Sequence, residues 1–214
     1  MSDFRITTCV LGQVSTNCYL IYNARTMEAV IVDPADNAAY LSNKCREMGI
    51  MPKAILLTHG HFDHIMAAEE LRRSFRLSVY ASEREAELLR SPSENLSWAF
   101  LNQETALEAD VFLKDGETVD LIGFTWKMIA TPGHTVGSAC YLVESEKVLI
   151  SGDTLFEESF GRTDFPTSSM ADMRDSILNK LMELPDDTMV YPGHGNATTI
   201  GHERNYNPIA GYRG

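Results

Sequence analysis

Two stretches of this chain repeat each other at a distance. Cys18-Tyr19-Leu20-Ile21 passes through a short turn to Ala29-Val30-Ile31-Val32-Asp33. Cys140-Tyr141-Leu142-Val143 passes in the same way to Lys147-Val148-Leu149-Ile150-Ser151-Gly152-Asp153. Each apolar, β-branched pair reads as two adjacent strands. Each is followed by a helical pattern, a short apolar run and then a histidine: Ile55-Leu56-Leu57-Thr58-His59 in one half, Met189-Val190-Tyr191-Pro192-Gly193-His194 in the other. A duplicated unit of this kind predicts two similar β-rich halves, each with a helical cover. If the halves face each other, the loops that leave their strands meet at one edge, where a site forms.

The remaining pattern fits that frame. Strands are expected over 4–11, 17–22, 28–33, 54–57, 77–80, 118–121, 124–130, 138–143, 147–151 and 188–191, and helices over 37–48, 65–75, 82–90 and 170–183. Gly49 is placed to end the first helix. Residues 154–169 read as a loop. Residues 91–116 have no clear period. Within them Trp98, Phe100 and Leu101 are expected in the core, and the segment as a lid or an edge over the site. In the tail, Tyr206, Ile209 and Tyr212 suit either a core or a partner surface.

Composition narrows the function. The chain has 214 residues, 44% of them hydrophobic, enough for one sizeable core, and we expect a single domain over 1–214 with no separate C-terminal substrate domain. A formal net charge of −12 disfavours nucleic acid and anionic membrane surfaces as partners. No apolar run approaches the roughly 18 residues of a membrane span, and Met1-Ser2-Asp3-Phe4-Arg5 does not open a secretory signal. Cys9, Cys18, Cys45 and Cys140 are scattered in mostly apolar runs, which suits reduced, buried thiols in the cytoplasm.

The chemistry lies in the histidines. Three of the six fall within Thr58-His59-Gly60-His61-Phe62-Asp63-His64. Imidazole and carboxylate are the donors a borderline divalent cation prefers, and Gly60 is expected to let the loop bend so that both flanking rings turn inward. Three further loops each set one metal-type ligand beside a glycine after an apolar run: Pro132-Gly133-His134, Gly152-Asp153 and Gly193-His194-Gly195. Together they offer five histidines and two aspartates, enough for two ions with open positions. His202 matches no such loop and is expected at the surface.

In the order HxHxDH, His, Asp, His, the chain resembles the metallo-β-lactamase superfamily from about Cys18 to His194. The resemblance implies an α/β fold, a four-layer αβ/βα sandwich with its metals at one edge. It implies one ion on His59, His61 and His134, a second on Asp63, His64 and His194, and Asp153 and a hydroxide bridging them. Asp63 would also orient that hydroxide. Zinc is the expected metal, with iron and manganese accepted by the same donors. Asp33 either matches a family position behind the metals or simply ends a strand before Pro34. Histidine at position 61, where the flavodiiron branch carries glutamate, favours hydrolysis.

Gly152 to Phe156, Gly161-Arg162-Thr163-Asp164-Phe165-Pro166 and the segment around Asn207-Pro208 resemble short glyoxalase II-like bacterial hydrolases. The implied reaction is hydrolysis of a hydroxyacylglutathione-type thioester, a small-molecule substrate. A thiolate leaves without a proton donor because its pKa is only about 8.5. Full-length enzymes of that group add a helical C-terminal domain and read His-Glu-Tyr where this chain reads His194-Gly195-Asn196, so another thiol carrier is an open alternative to glutathione. Arg162 fits a substrate carboxylate or an ordinary loop salt bridge. A mononuclear-iron persulfide dioxygenase, which shares the Gly-Arg-Thr-Asp stretch, and a lactonase are the competing readings.

Overall fold

The computed structural model describes residues 2–211. In chain order it runs β1 (Phe4–Leu11), β2 (Thr16–Asn23), β3 (Glu28–Val32), α1 (Ala38–Met48), β4 (Met51–Leu56), α2 (Phe62–Ile65), α3 (Ala68–Phe75), β5 (Ser78–Ser82), α4 (Ala86–Arg90), α5 (Ser97–Leu101) and β6 (Val111–Leu113). Then come β7 (Thr118–Leu121), β8 (Phe124–Ala130), β9 (Ala139–Val143), β10 (Val148–Gly152), β11 (Leu155–Phe156), β12 (Ser159–Phe160), α6 (Met170–Asn179), β13 (Met189–Pro192), β14 (Thr198–Thr199) and α7 (Ile200–Tyr206). One sheet has the order β1-β2-β3-β4-β5-β6, the other β14-β13-β10-β9-β8-β7.

The strands in the middle of each sheet are apolar on both faces because both faces are covered. Leu20, Ile31 and Ile55 pack outward with Leu41 and Cys45 of α1 and Leu71 of α3. Their neighbours Ile21, Val30, Val32 and Leu56 point the other way, onto Trp126, Met128, Tyr141 and Ile150 of the second sheet. That sheet's far face, with Cys140, Leu142, Leu149 and Val190, is covered by Met173 and Ile177 of α6 and by Ile200. The layers are therefore helix, sheet, sheet, helix. Each fully buried Leu or Ile contributes about 1.5–3 kcal/mol, so the inter-sheet layer supplies much of the cohesion between the halves.

The repeat is real in three dimensions. β2 pairs antiparallel with β3, which pairs parallel with β4. β9, β10 and β13 repeat that arrangement. The halves also grip each other reciprocally. The Tyr19 hydroxyl donates to the Pro192 carbonyl at 2.6 Å, and the Tyr141 hydroxyl to the Leu57 carbonyl at 3.0 Å. Beside them, Asn17 N–H donates to Gly193 O at 2.7 Å and Ala139 N–H to Thr58 O at 2.8 Å. Each half thus pins the loop that carries the other half's histidine.

Several expectations change in detail. The helix expected over 65–75 is two helices, α2 and α3, with Ala67 N–H turned to Pro34 O between them. The expected loop at 154–169 contains the two-residue ladder of β11 with β12. Trp98 and Phe100 are not core residues: they are 53% and 55% exposed on α5, and Leu96, Leu107 and Ala109 fill the core from this segment instead. The tail forms β14 and α7, with Ile209 buried and Tyr206 exposed against His202. Tyr212 lies outside the described residues. All four cysteines are free and buried. No helix among the described residues is long and apolar enough to cross a membrane.

Candidate metal centre

Loops leaving β4, β8, β10 and β13 converge at one edge of the sandwich. The first carries His59 and His61 and enters α2, on which Asp63 and His64 lie. The others bring His134, Asp153 and His194. Gly60 is in this loop for a reason other than bending: a Cβ there would stand 2.8 Å from Leu88 and 2.9 Å from Leu89, so α4 packs directly on its backbone. The bend that needs a left-handed residue is at Gly152, with φ 49°. Its counterpart in the first half is Asp33, at φ 47°.

Partners behind the rings fix how they present their nitrogens. His64 Nδ1 lies 2.9 Å from Asp33 Oδ2, and His134 Nδ1 lies 2.8 Å from the Arg162 carbonyl. Both oxygens only accept, so each ring donates from Nδ1 and leaves its Nε2 lone pair facing the cluster. His59 Nδ1 meets Thr58 Oγ1 at 3.2 Å. Thr58 is itself held by Asp33, which accepts from its N–H at 2.8 Å and its hydroxyl at 2.6 Å.

The donor atoms form three overlapping triplets, His59/His61/His134, Asp63/His64/His194 and His59/His64/Asp153, each within 4.8 Å. Asp63 Oδ2 is 3.4 Å from His64 Nε2 and 3.3 Å from His194 Nε2. Asp153 Oδ2 is 3.5 Å from both His134 Nε2 and His194 Nε2, and its Oδ1 is 3.5 Å from His64 Nε2. Donors on one tetrahedral ion stand about 3.3–3.4 Å apart, so these spacings suit coordination. Asp153 comes within 3.5 Å of donors in both outer triplets. His61 Nδ1 and His134 Nε2 are closer, at 2.9 Å.

Whether the residues fit a cation can be tested on unsatisfied atoms. Nε2 of His59, His61 and His64 and Oδ1 of Asp153 are buried without a hydrogen-bond partner among the described residues. Stranding one such atom costs about 1–3 kcal/mol. Four in one cluster make a dinuclear metal site the economical explanation, and the His/Asp donor set is capable of it.

Electrostatics divides the cluster. Burial, then the crowd of neighbouring imidazoles, pushes His59 well below the usual histidine range. Burial with His134 takes His61 down to about 3, and burial lowers His134. On the other side burial opposes charge but is outweighed. Asp63, Asp153 and Asp33 lift His64 to about 9, and Asp153 and Asp63 lift His194 to about 10. Against burial, the same contacts, led by His64, hold both Asp63 and Asp153 below the usual carboxylate range. One triplet thus disfavours protonation, while the carboxylates of the other favour positive charge there, as a site for a cation would.

Two residues that sequence reasoning missed hold the site. Thr16 Oγ1 donates to Asp63 Oδ2 at 2.7 Å. Glu85, fully buried after β5, accepts on one oxygen from Gly60 N–H at 2.9 Å and from the Thr135 hydroxyl at 2.8 Å. It therefore joins the loop of His59 and His61 to the loop of His134. Arg162 lies at the rim in a bidentate pair with Asp164, at 2.9 and 2.8 Å, and 4.5 Å above the Phe165 ring. His202 is at the surface, 3.0 Å from Glu158.

The metallo-beta-lactamase superfamily model matches residues 11–194. A probable metallo-hydrolase of Streptococcus pyogenes serotype M6 is 38% identical over 90% of this chain and 84% of its own length. Hydroxyacylglutathione hydrolase GloC of Haemophilus influenzae is 37% identical over 90% of this chain and 92% of its own. Among solved structures, that of BLEG-1 B3 metallo-beta-lactamase superposes with a TM-score of 0.91 at 39% identity, covering 96% of this chain and 99% of that one. On fold, ligand order and these likenesses, the chain belongs to the metallo-β-lactamase superfamily.

Proposed function

We propose that this metallo-hydrolase cleaves acyl thioesters of the hydroxyacylglutathione type, as a small-molecule enzyme of the cytoplasm. The observation that carries the reading is the composition of the cleft over the cluster. Its ionisable lining consists of the candidate ligands and Arg162. A thiolate leaves without being protonated, so this lining needs no separate proton donor to cleave a thioester. The GloC relative supports the same substrate class.

In this reading His59, His61 and His134 hold one divalent ion, Asp63, His64 and His194 the second, and Asp153 spans them. Zinc is the proposed metal, and iron and manganese suit the same donors. Divalent ions held there would supply a water of lowered pKa and a Lewis acid for the acyl carbonyl. The chain's own part is positional. Asp33 and the Arg162 carbonyl keep two Nε2 lone pairs inward. Asp63, steadied by Thr16, is the carboxylate to which the attacking water donates. The water oxygen joins the acyl carbon and the C–S bond breaks. Sulfur leaves with the electron pair, giving a carboxylate, a thiol and one released proton. Arg162 pairs with a substrate carboxylate only by giving up Asp164.

S-lactoylglutathione hydrolysis by the metal-loaded protein, with His59→Ala as the blank, tests this. Turnover that disappears in the variant is the expected result. No turnover of thioesters by protein that retains its metals rejects it. Oxygen uptake with glutathione persulfide at one iron per chain, or ring opening of lactones, would replace it.

A further inference from the structure

The walls of the cleft say more about the substrate than its floor does. Val14, Phe62, Leu96, Phe100, Phe156 and Phe165 rise around the donor cluster. Phe62 and Phe100 stack at 5.6 Å with 20° between their planes. Phe165 stands edge-on to His61 at 5.3 Å and to His134 at 5.7 Å, and Phe156 edge-on to His194 at 6.2 Å. Val14 and Phe100 are exposed although apolar. Together these side chains give the cleft a mostly apolar lining, as small-molecule sites commonly have.

Charge points the same way. Glutathione thioesters carry two carboxylates, and a site built for them offers cations. Apart from the candidate metal ligands, the cation lining this cleft among the described residues is Arg162, already held in the bidentate pair with Asp164.

We infer that the preferred substrate is an uncharged thioester with an extended apolar acyl arm, which lies between the Phe62–Phe100 stack and Phe165 while its carbonyl reaches the donor cluster. This rests on the thioester chemistry of the reading above and replaces its glutathione carrier with a neutral one. The bond broken and the products are those already given, so no further reactant is required.

The test is a chain-length series on one neutral carrier. Acetyl, butanoyl and hexanoyl thioesters of N-acetylcysteamine are compared with S-lactoylglutathione, using the metal-loaded full chain. A fully buried methylene contributes roughly fourfold. In an open cleft, kcat/KM is expected to rise at least about tenfold from acetyl to hexanoyl and to exceed that for S-lactoylglutathione. Phe100→Ala, at an exposed position that the core does not need, is expected to lower the hexanoyl-to-acetyl ratio at least about threefold. A flat series, or a clear preference for S-lactoylglutathione, overturns this inference and leaves the thioester reading standing. Failure of every thioester with metals in place removes both.

Discussion

Replacing Glu85 by glutamine separates the charge of the buried carboxyl from its shape. Burial pushes Glu85 up to about 7 against an ordinary value of 4.5, with Gly60 N–H and the Thr135 hydroxyl pulling the other way. The folded chain therefore keeps a proton that the unfolded chain has already released between those values. The contribution of Glu85 to stability is greatest below about pH 4 and is lost as the pH rises through about 7, because between those values the folded state binds more protons. The difference, 7 − 4.5 = 2.5, at about 1.36 kcal/mol per pH unit, gives a ceiling of about 3.4 kcal/mol. The same linkage places about 2.5 kcal/mol of it between pH 5 and pH 8. Glutamine keeps an oxygen for Gly60 and Thr135 and never ionises. The unfolding free energy of Glu85→Gln relative to wild type should thus improve by about 2.5 kcal/mol from pH 5 to pH 8. Urea unfolding of both proteins across that range, with excess chelator so that metal release adds no slope, measures it. Parallel profiles would refute the argument, since they would mean that the carboxylate ionises in its buried position without penalty.

Two further substitutions probe the supports of the cluster. Asp33→Asn puts an amide where His64 Nδ1 and the Thr58 hydroxyl both donate, so the imidazole loses its orienting acceptor. Metal affinity is expected to weaken about 10–100-fold, read by competition with a chromophoric chelator, and an unchanged Kd would end the orienting role. Gly152→Ala combines a left-handed φ of 49° with a Cβ only 2.4 Å from Thr58 Oγ1. Overpacking adds about 1–3 kcal/mol to the backbone strain. Gly116→Ala, at φ 79° with nothing within 4 Å, isolates the strain alone. Equal losses of stability in the two variants would show that Thr58 yields.

What could be read in the sequence followed from burial. The Cys-Tyr-Leu hairpins and the strands after them had to be apolar on both faces, so they stand out twice and fix both the layers and the loops that meet. The donor residues were legible because histidine is scarce and its spacing is tight. Glu85 was not, because Glu83-Arg84-Glu85 looks like the solvated start of a helix and only the tertiary approach of Gly60 gives it a partner. Trp98 and Phe100 misled because large aromatics ordinarily enter a core, whereas both stand exposed on α5, and Phe100 lines the cleft over the cluster. The paired strands β11, β12 and β14 span two residues each and carry no measurable period.

The reciprocal bonds explain how a cluster drawn from both halves is held together. His59, His61, Asp63 and His64 come from one half of the chain, and His134, Asp153 and His194 from the other. Docking must therefore bring carboxylates and imidazoles together against the cost of burying them. Tyr19 and Tyr141 each tie down the carbonyl two residues before a ligand histidine of the opposite half. Asn17 strengthens one side of that seam through its side-chain amide, which donates to Pro192 O at 2.9 Å and Gly195 O at 3.0 Å. The apolar layer between the sheets supplies the adhesion, the tyrosines set the register, and the donors are left over at the edge with their lone pairs unmatched. The duplication that makes the fold thus also makes the site, because a seam between two similar halves is where two sets of strand-end loops must face each other.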